Sequence, residues 1–198
     1  MASRRIGDDR LTRVLKTVAI VLAVAFVGWA VYEKFVVGSA PGDYAYHAAN
    51  RLFEDGQYER AAAGYRDALA QAPDHIHALR GLASSLHKMG AHEEALATYD
   101  EAIALEPAFA GAYANRGILL DTMGRHEEAL VDYTKALQLD PSVADGPKWL
   151  TRFLRNQAEM PPTIADRAAY LRAELAKPEA ERLLMVPEVD AQQRPYQQ

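Results

Sequence analysis

The chain has 198 residues, 49% of them hydrophobic, and no cysteine. That is enough apolar material for one packed domain with attachments, and it excludes disulfides, thiolate nucleophiles and sulfur-ligated metals. The net charge of −5 is unevenly placed: five basic residues against Asp8 and Asp9 leave Met1–Lys16 at +3 and the remainder at −8, an acidic body that excludes the basic footprint of nucleic-acid binding.

Thr17 to Tyr32 contains no charged residue, and Phe35, Val36 and Val37 extend the apolar stretch beyond Glu33 and Lys34. Sixteen residues cover about 24 Å of a hydrocarbon core about 30 Å thick. The span therefore borrows Val14, Leu15 and Phe35, with Lys16 and Lys34 snorkelling outward and Trp29 and Tyr32 near one interface. Residues 17–37 are read as a transmembrane signal-anchor helix whose partner is the lipid bilayer. Its apolarity on all faces distinguishes it from an amphipathic core helix. Basic residues cluster before it, so residues 1–16 are expected in the cytoplasm and the main body in the periplasm, or otherwise outside the cytoplasm, in a single-pass inner-membrane protein. A cleaved signal peptide competes, because Gly38, Ser39 and Ala40 form a small-residue site; Pro41 directly after it and the length of the apolar run favour retention.

A 34-residue period follows. It relates Gly56, Gly90 and Gly124, and likewise Pro73, Pro107 and Pro141. The same register aligns Ala49, Ala83 and Gly117; Leu52, Leu86 and Leu120; Ala61, Ala95 and Ala129; Tyr65, Tyr99 and Tyr133; and Ala68, Ala102 and Ala136. Small residues at two columns let paired antiparallel helices approach closely, Leu and Tyr fill the space between hairpins, glycine ends each first helix and proline breaks the chain before the next unit. Single hairpins cannot bury their apolar faces, so such units stack.

With small residues at repeat positions 8 and 20, large ones at 11 and 24, Ala at 27 and Pro at 32, the pattern resembles the tetratricopeptide-repeat (TPR) family. The resemblance implies an all-α solenoid of three TPR hairpins over 42–143, as repeats 42–75, 76–109 and 110–143, preceded by the transmembrane helix. The single-anchor layout is similar to that of membrane-anchored bacterial TPR proteins. Ala45 and Ala48 in the first repeat, and Arg116 at an apolar position of the third, depart from the pattern and suggest looser packing there.

Beyond the repeats, Pro147, Trp149, Leu150, Phe153 and Leu154 predict an amphipathic capping helix over 144–158, with Trp149 in its core. Residues 159–198 are a C-terminal helical extension and a tail. Thr163 and Asp166 make a capping box, and Ile164, Ala168, Leu171 and Leu175 share one helical face. Pro178 ends that helix or opens a short one through Met185, and the polar stretch from Val186 to Gln198 reads as disordered.

No catalytic motif is present: no nucleophile elbow, phosphate loop or dinucleotide glycine pattern. HEEAL at His92 and again at His126 lacks the second histidine of a zinc-protease helix, and its glutamates suit a helix N-terminus. His77 and His87 lie ten residues, about 15 Å, apart along a helix and cannot share one ion. The expectation is a non-enzyme without cofactor or metal.

In the TPR family the concave groove is lined by positions 2, 5, 9, 12 and 13 of each first helix. Carried over, this gives Asp43, Tyr46, Asn50, Phe53 and Glu54; then His77, Arg80, Ser84, His87 and Lys88; then Gly111, Ala114, Ile118, Asp121 and Thr122. The peptide-binding residues expected from this face are Tyr46, Asn50, Phe53, His77, Arg80, Ser84, His87, Lys88, Ile118 and Asp121. Some family members hold a peptide's terminal carboxylate with Lys and Asn at positions 5 and 9. Asn50 and Arg80 suit that clamp, but Ser84, Ala114 and Ile118 do not. The implied function is a protein-interaction module, an adaptor or assembly factor for an envelope complex that takes a protein or peptide in its groove; the alternative is a constitutive accessory subunit of a membrane complex.

Overall fold

The structure, a computed structural model, describes residues 4–32, 40–145 and 162–185. Helix α1 (Arg4–Tyr32) contains a 22-residue stretch, Leu11–Tyr32, of mean hydropathy 2.3. Its large apolar side chains, from Leu11 through Phe26 to Tyr32, are all exposed. By length and composition it can cross a membrane. It begins well before Thr17: Gly7, Asp8 and Asp9 are weak helix formers, but Arg, Leu and Lys are good ones and no proline interrupts the run.

Three hairpins follow: α2 (Asp43–Glu54) with α3 (Tyr58–Gln71), α4 (Ile76–Lys88) with α5 (His92–Leu105), and α6 (Ala110–Thr122) with α7 (His126–Leu139). Each first helix ends on a left-handed glycine, with φ of 75° at Gly56, 81° at Gly90 and 76° at Gly124. The same two hydrogen bonds close each end. At the first hairpin Gly56 N donates to Phe53 O and Gln57 N to Leu52 O, at 3.0 and 2.9 Å. This Schellman closure satisfies carbonyls that the helix leaves open and turns the chain within three residues.

The second helix of each hairpin packs on the first helix of the next, and successive first helices also touch, whereas successive second helices scarcely approach one another. The stack therefore curves with α2, α4 and α6 on its inner side. Ala49, Ala61, Ala68, Ala83, Ala95 and Ala102 are wholly buried along the seams, and Tyr65, Tyr99 and Tyr133 fill the space between helices. Two glycines permit this approach. A Cβ at Gly81 would intrude on the ring of Tyr65, and one at Gly117 would lie 2.7 Å from the ring of Tyr133.

Arg116 does not loosen the third repeat. Its guanidinium donates to both carboxylate oxygens of Asp132 at 2.7 and 2.8 Å and to Asp100 at 2.5 Å, and lies over the Tyr113 ring. A bidentate ion pair replaces the apolar contact.

After a 3-10 turn at Pro141–Ala144, the next described helix is α8 (Ile164–Leu175), which packs on α7 where the first helix of a further repeat would sit. The Thr163–Asp166 capping box forms as expected, each side chain bonding the other's backbone N–H. The capping helix expected over 144–158, with Trp149, and the tail from Val186 onward lie outside the described residues apart from Ala144 and Asp145. No final helix runs to Met185: a 3-10 turn at Glu179–Glu181 leads into an extended strap, 182–185. Its backbone is held by α8 side chains instead. Leu183 N donates to Glu174 and Leu183 O accepts from Tyr170, while Leu184 O accepts from Arg167, at 2.8, 2.6 and 3.0 Å.

Candidate peptide-binding groove

The inner helices place the ten expected groove residues in three different situations. Tyr46, Phe53, His77 and His87 keep accessible ring surface, and Lys88 is exposed. Tyr46 lies 4.8 Å from His75 and 6.2 Å from His77, and His77 meets Phe109 edge-on at 5.2 Å, ring centre to ring centre. A continuous aromatic and imidazole surface thus crosses from the first repeat to the end of the second. Arg80 is buried beneath it, its guanidinium 5.6 Å from the centre of Phe109. A side chain at Gly111 would meet both Arg80 and Phe109 at 3.3 Å, so this glycine makes room for the stack.

Burial, then Arg80 and His75, hold the His77 imidazole below its usual range. His87 is pushed down to about 4, chiefly by burial and further by Lys88 and His92. Both rings are neutral near pH 7 and present flat, weakly polar faces.

The second group is engaged by the chain's own tyrosines. Tyr65 Oη donates to Asn50 Oδ1 at 2.5 Å, and Ser84 Oγ lies 2.8 Å from Tyr99 Oη. In the first two hairpins the tyrosine at position 24 reaches through and engages the polar residue at position 9. Burial pushes the Tyr65 and Tyr99 phenols well above their usual range, so both remain neutral hydrogen-bonding groups. Asn50 and Ser84, expected as peptide contacts, thus each hold a tyrosine of their own hairpin; Ser84 is buried, whereas Asn50 is half-buried with its amide nitrogen on the other side of the group.

The third repeat differs again. Ile118 at position 9 cannot accept a hydrogen bond, and Tyr133 Oη reaches Asp121 instead at 3.3 Å. Ile118 and Asp121 are each 6% exposed, covered by the C-terminal helix and strap. Asp121 accepts from Arg167 Nε and Nη2 at 2.6 and 2.9 Å and contacts His126 Nδ1 at 2.7 Å. Burial alone would raise its carboxyl, but the hydrogen bonds from Arg167 and His126 outweigh it and hold the group below the usual carboxylate value. Neither Ile118 nor Asp121 is open to a ligand in this state, because the chain itself covers them.

Sequence reasoning missed Arg167, Phe109 and His75. Arg167 had a legible signal, since it is a charged residue set within the apolar stripe of Ile164, Ala168 and Leu171. His75 caps α4, accepting from Ala78 N at 3.2 Å, and had only its position before that helix to mark it. Among the described residues no group of His, Asp and Glu is gathered as a metal-ligand set. A shallow cleft of about 550 Å³ opens between α7 and α8, beside Val131, Arg172 and Leu175, and includes none of the expected groove residues.

Tetratricopeptide-repeat family models match residues 52–115 and 110–143. No curated protein matches the chain in sequence. Among solved structures, the Arabidopsis OM64 TPR domain is similar at a TM-score of 0.50 and 17% identity, covering 59% of this chain and 93% of that one. The first TPR domain of human RPAP3, determined by NMR, also has a TM-score of 0.50, at 22% identity over 67% of this chain and 96% of its own. The first TPR of Spaghetti (RPAP3), bound to the HSP90 peptide SRMEEVD, gives 0.49 at 24% identity over 60% and 90%. At these identities the likeness is one of fold. The sequence period, the inner and outer helix layers and the two family matches agree, and the chain is a tetratricopeptide-repeat protein over residues 52–143.

Proposed function

We propose that this chain is a membrane-anchored adaptor or assembly factor of an envelope complex, with residues 17–37 in the bilayer and the concave face of the repeats, 42–143, holding a protein segment. Tandem repeats of this family are protein-interaction modules. The observation that carries the reading is the surface of Tyr46, His77 and Phe109 on the inner face, with Arg80 beneath it. Flat neutral rings bind apolar and aromatic side chains at little entropic cost, and the positive charge of Arg80 and Lys88 favours acidic residues nearby. The partner is thus a short segment of mixed apolar and acidic character. The exposed apolar side chains of α1 support the anchor, and the basic residues before it support repeats outside the cytoplasm. Tethering raises the local concentration of a membrane-bound partner, so modest groove affinity suffices.

The test is photocrosslinking in intact membranes from a residue placed at Phe53 or His77, with a probe at Val131 on an outer helix as control and protease accessibility recorded alongside. One discrete external product from the inner positions alone, with the repeats shielded from protease on the cytoplasmic side, is the expected result. Products confined to this chain, or the same products from Val131, would overturn the groove reading. Salt-resistant recovery with a partner at fixed stoichiometry would instead favour a constitutive accessory subunit.

A further inference from the structure

Positions 3, 6 and 10 of each first helix are three and four residues apart and share one helical face. In the second repeat they are Ala78, Gly81 and Ser85, and in the third Ala112, Asn115 and Leu119. Ala78, Ser85, Ala112 and Leu119 are wholly buried, and Asn115 is 2% exposed. Gly81 shows what the face meets, since a Cβ there would intrude on the Tyr65 ring of the preceding hairpin. This is the seam along which α4 and α6 receive α3 and α5. In the first repeat the same positions are Tyr44, His47 and Arg51, and all three are exposed. Tyr44, at 83%, is the most exposed large hydrophobic side chain among the described residues. Side chains of this size would hold off any helix approaching α2 as closely as α3 approaches α4.

The chain reaches this face from α1 through a built entry. Gly42 is left-handed at φ 86°, and a Cβ on it would lie 2.7 Å from Ala68 O, so it is pressed against the backbone of α3. Asp43 N donates to Ala40 O at 3.1 Å, and Asp43 Oδ2 accepts from Ala40 N at 2.9 Å. Asp43 Oδ1 lies 3.3 Å from Nε2 of His75, the residue that caps α4. The carboxylate of the first turn is therefore folded back into the protein, and the stripe is free of carboxylates up to Asp55, which caps the far end of α2. With the span continued to Val37, only Gly38 and Ser39 separate it from Ala40. Ala40 then lies within about 10 Å of the hydrocarbon edge, beside a headgroup layer about 5–7 Å deep.

We propose that Tyr44, His47 and Arg51 form a membrane-contact face, by which the first repeat rests on the phospholipid headgroups around α1. Tyrosine suits that boundary, with its ring against the acyl chains and its hydroxyl wet, and the Arg51 guanidinium offers a planar fork to lipid phosphate. The repeats then stack away from the bilayer, with the Tyr46, His77 and Phe109 surface in the two nearest to it. This contact depends on α1 lying in the bilayer, as the proposed function has it, but not on which side of it the repeats stand.

Because the chain has no cysteine, His47→Cys carries a fluorescent nitrobenzoxadiazole label at one site, between Tyr44 and Arg51. The full-length protein is reconstituted into vesicles of phosphatidylcholine and phosphatidylglycerol, with nitroxide on the lipid headgroup or deep in the acyl chain. Phe26→Cys in α1 tests the anchor, and Val131→Cys on α7 is a distant exposed site. Headgroup nitroxide should quench the label on His47→Cys several-fold more than that on Val131→Cys, with emission shifted to the blue. Acyl-chain nitroxide should quench the label on Phe26→Cys. Adding Tyr44→Ala and Arg51→Gln, both at exposed positions, should lower the ratio of docked to free first repeat about tenfold, and the headgroup quenching with it. Quenching in α1 with none above the α7 level at His47→Cys would overturn the membrane face and leave the anchor standing, whereas no quenching in α1 would overturn both. Headgroup quenching indifferent to Tyr44→Ala and Arg51→Gln would also overturn the proposal. So would shielding of the His47→Cys label from aqueous iodide without lipid quenching, which would assign the face to a second copy of the chain.

Discussion

The struts behind the groove can be separated from the groove itself at Ser84 and Tyr99. Their oxygens lie 2.8 Å apart, and the residues are 5% and 1% exposed. Tyr99→Phe leaves Ser84 Oγ without its partner, but a helical serine can turn to a carbonyl four residues back, as neighbouring Ser85 does to Gly81 O at 2.9 Å, so the cost is held to about 1 kcal/mol. Ser84→Ala is worse. The phenol is fixed by its buried ring and cannot seek another acceptor, and an orphaned hydroxyl costs about 2 kcal/mol. The double variant removes both groups and loses only the net hydrogen bond, about 1 kcal/mol, against about 3 kcal/mol for independent effects. Thermal unfolding by far-ultraviolet circular dichroism reads this directly, because 1 kcal/mol moves Tm by about 4–8 °C in a domain of this size. Additive costs, or a Ser84→Ala change without effect on Tm, would refute the strut and return Ser84 to the groove surface. Partner affinity should be unaltered in the double variant.

Gly117→Ala gains about 1 kcal/mol of helix propensity, but its Cβ would press on the wholly buried Tyr133 ring, a strain of about 1–3 kcal/mol, so a net fall in Tm is expected. Asp121 has a folded pKa below its ordinary 3.8, so its contribution is present above that value and lost as pH falls through the lower, folded one; stability curves of native and D121N chains should converge at the acid end. His87 is neutral when folded down to about 4 and when unfolded only above 6.5, so stability falls as pH drops from 6.5 towards 4. His87→Asn should flatten that interval in the same melts, and an unchanged slope would refute the assignment.

The architecture is legible in the sequence because the 34-residue period records close contact between neighbours in the chain. Ala49 against Gly64, Tyr65 beneath Gly81 and the left-handed Gly56 each involve residues less than one 34-residue period apart. The apolar face of α8 and its capping box are equally local. These features follow from helical periodicity and turn chemistry alone.

Availability of the inner-face residues is not local. Asn50 and Ser84 have the polarity of ligand contacts, but an antiparallel helix brings a tyrosine 15 residues away against each of them. Asp121 reads as an open acidic position until Arg167, 46 residues further on, is folded against it. Sequence determined the repeat and its layers. Tertiary structure alone decided which polar groups on the inner face are already satisfied by the chain's own donors, because the residue that meets each tyrosine changes from repeat to repeat and Arg167 comes from outside the period altogether.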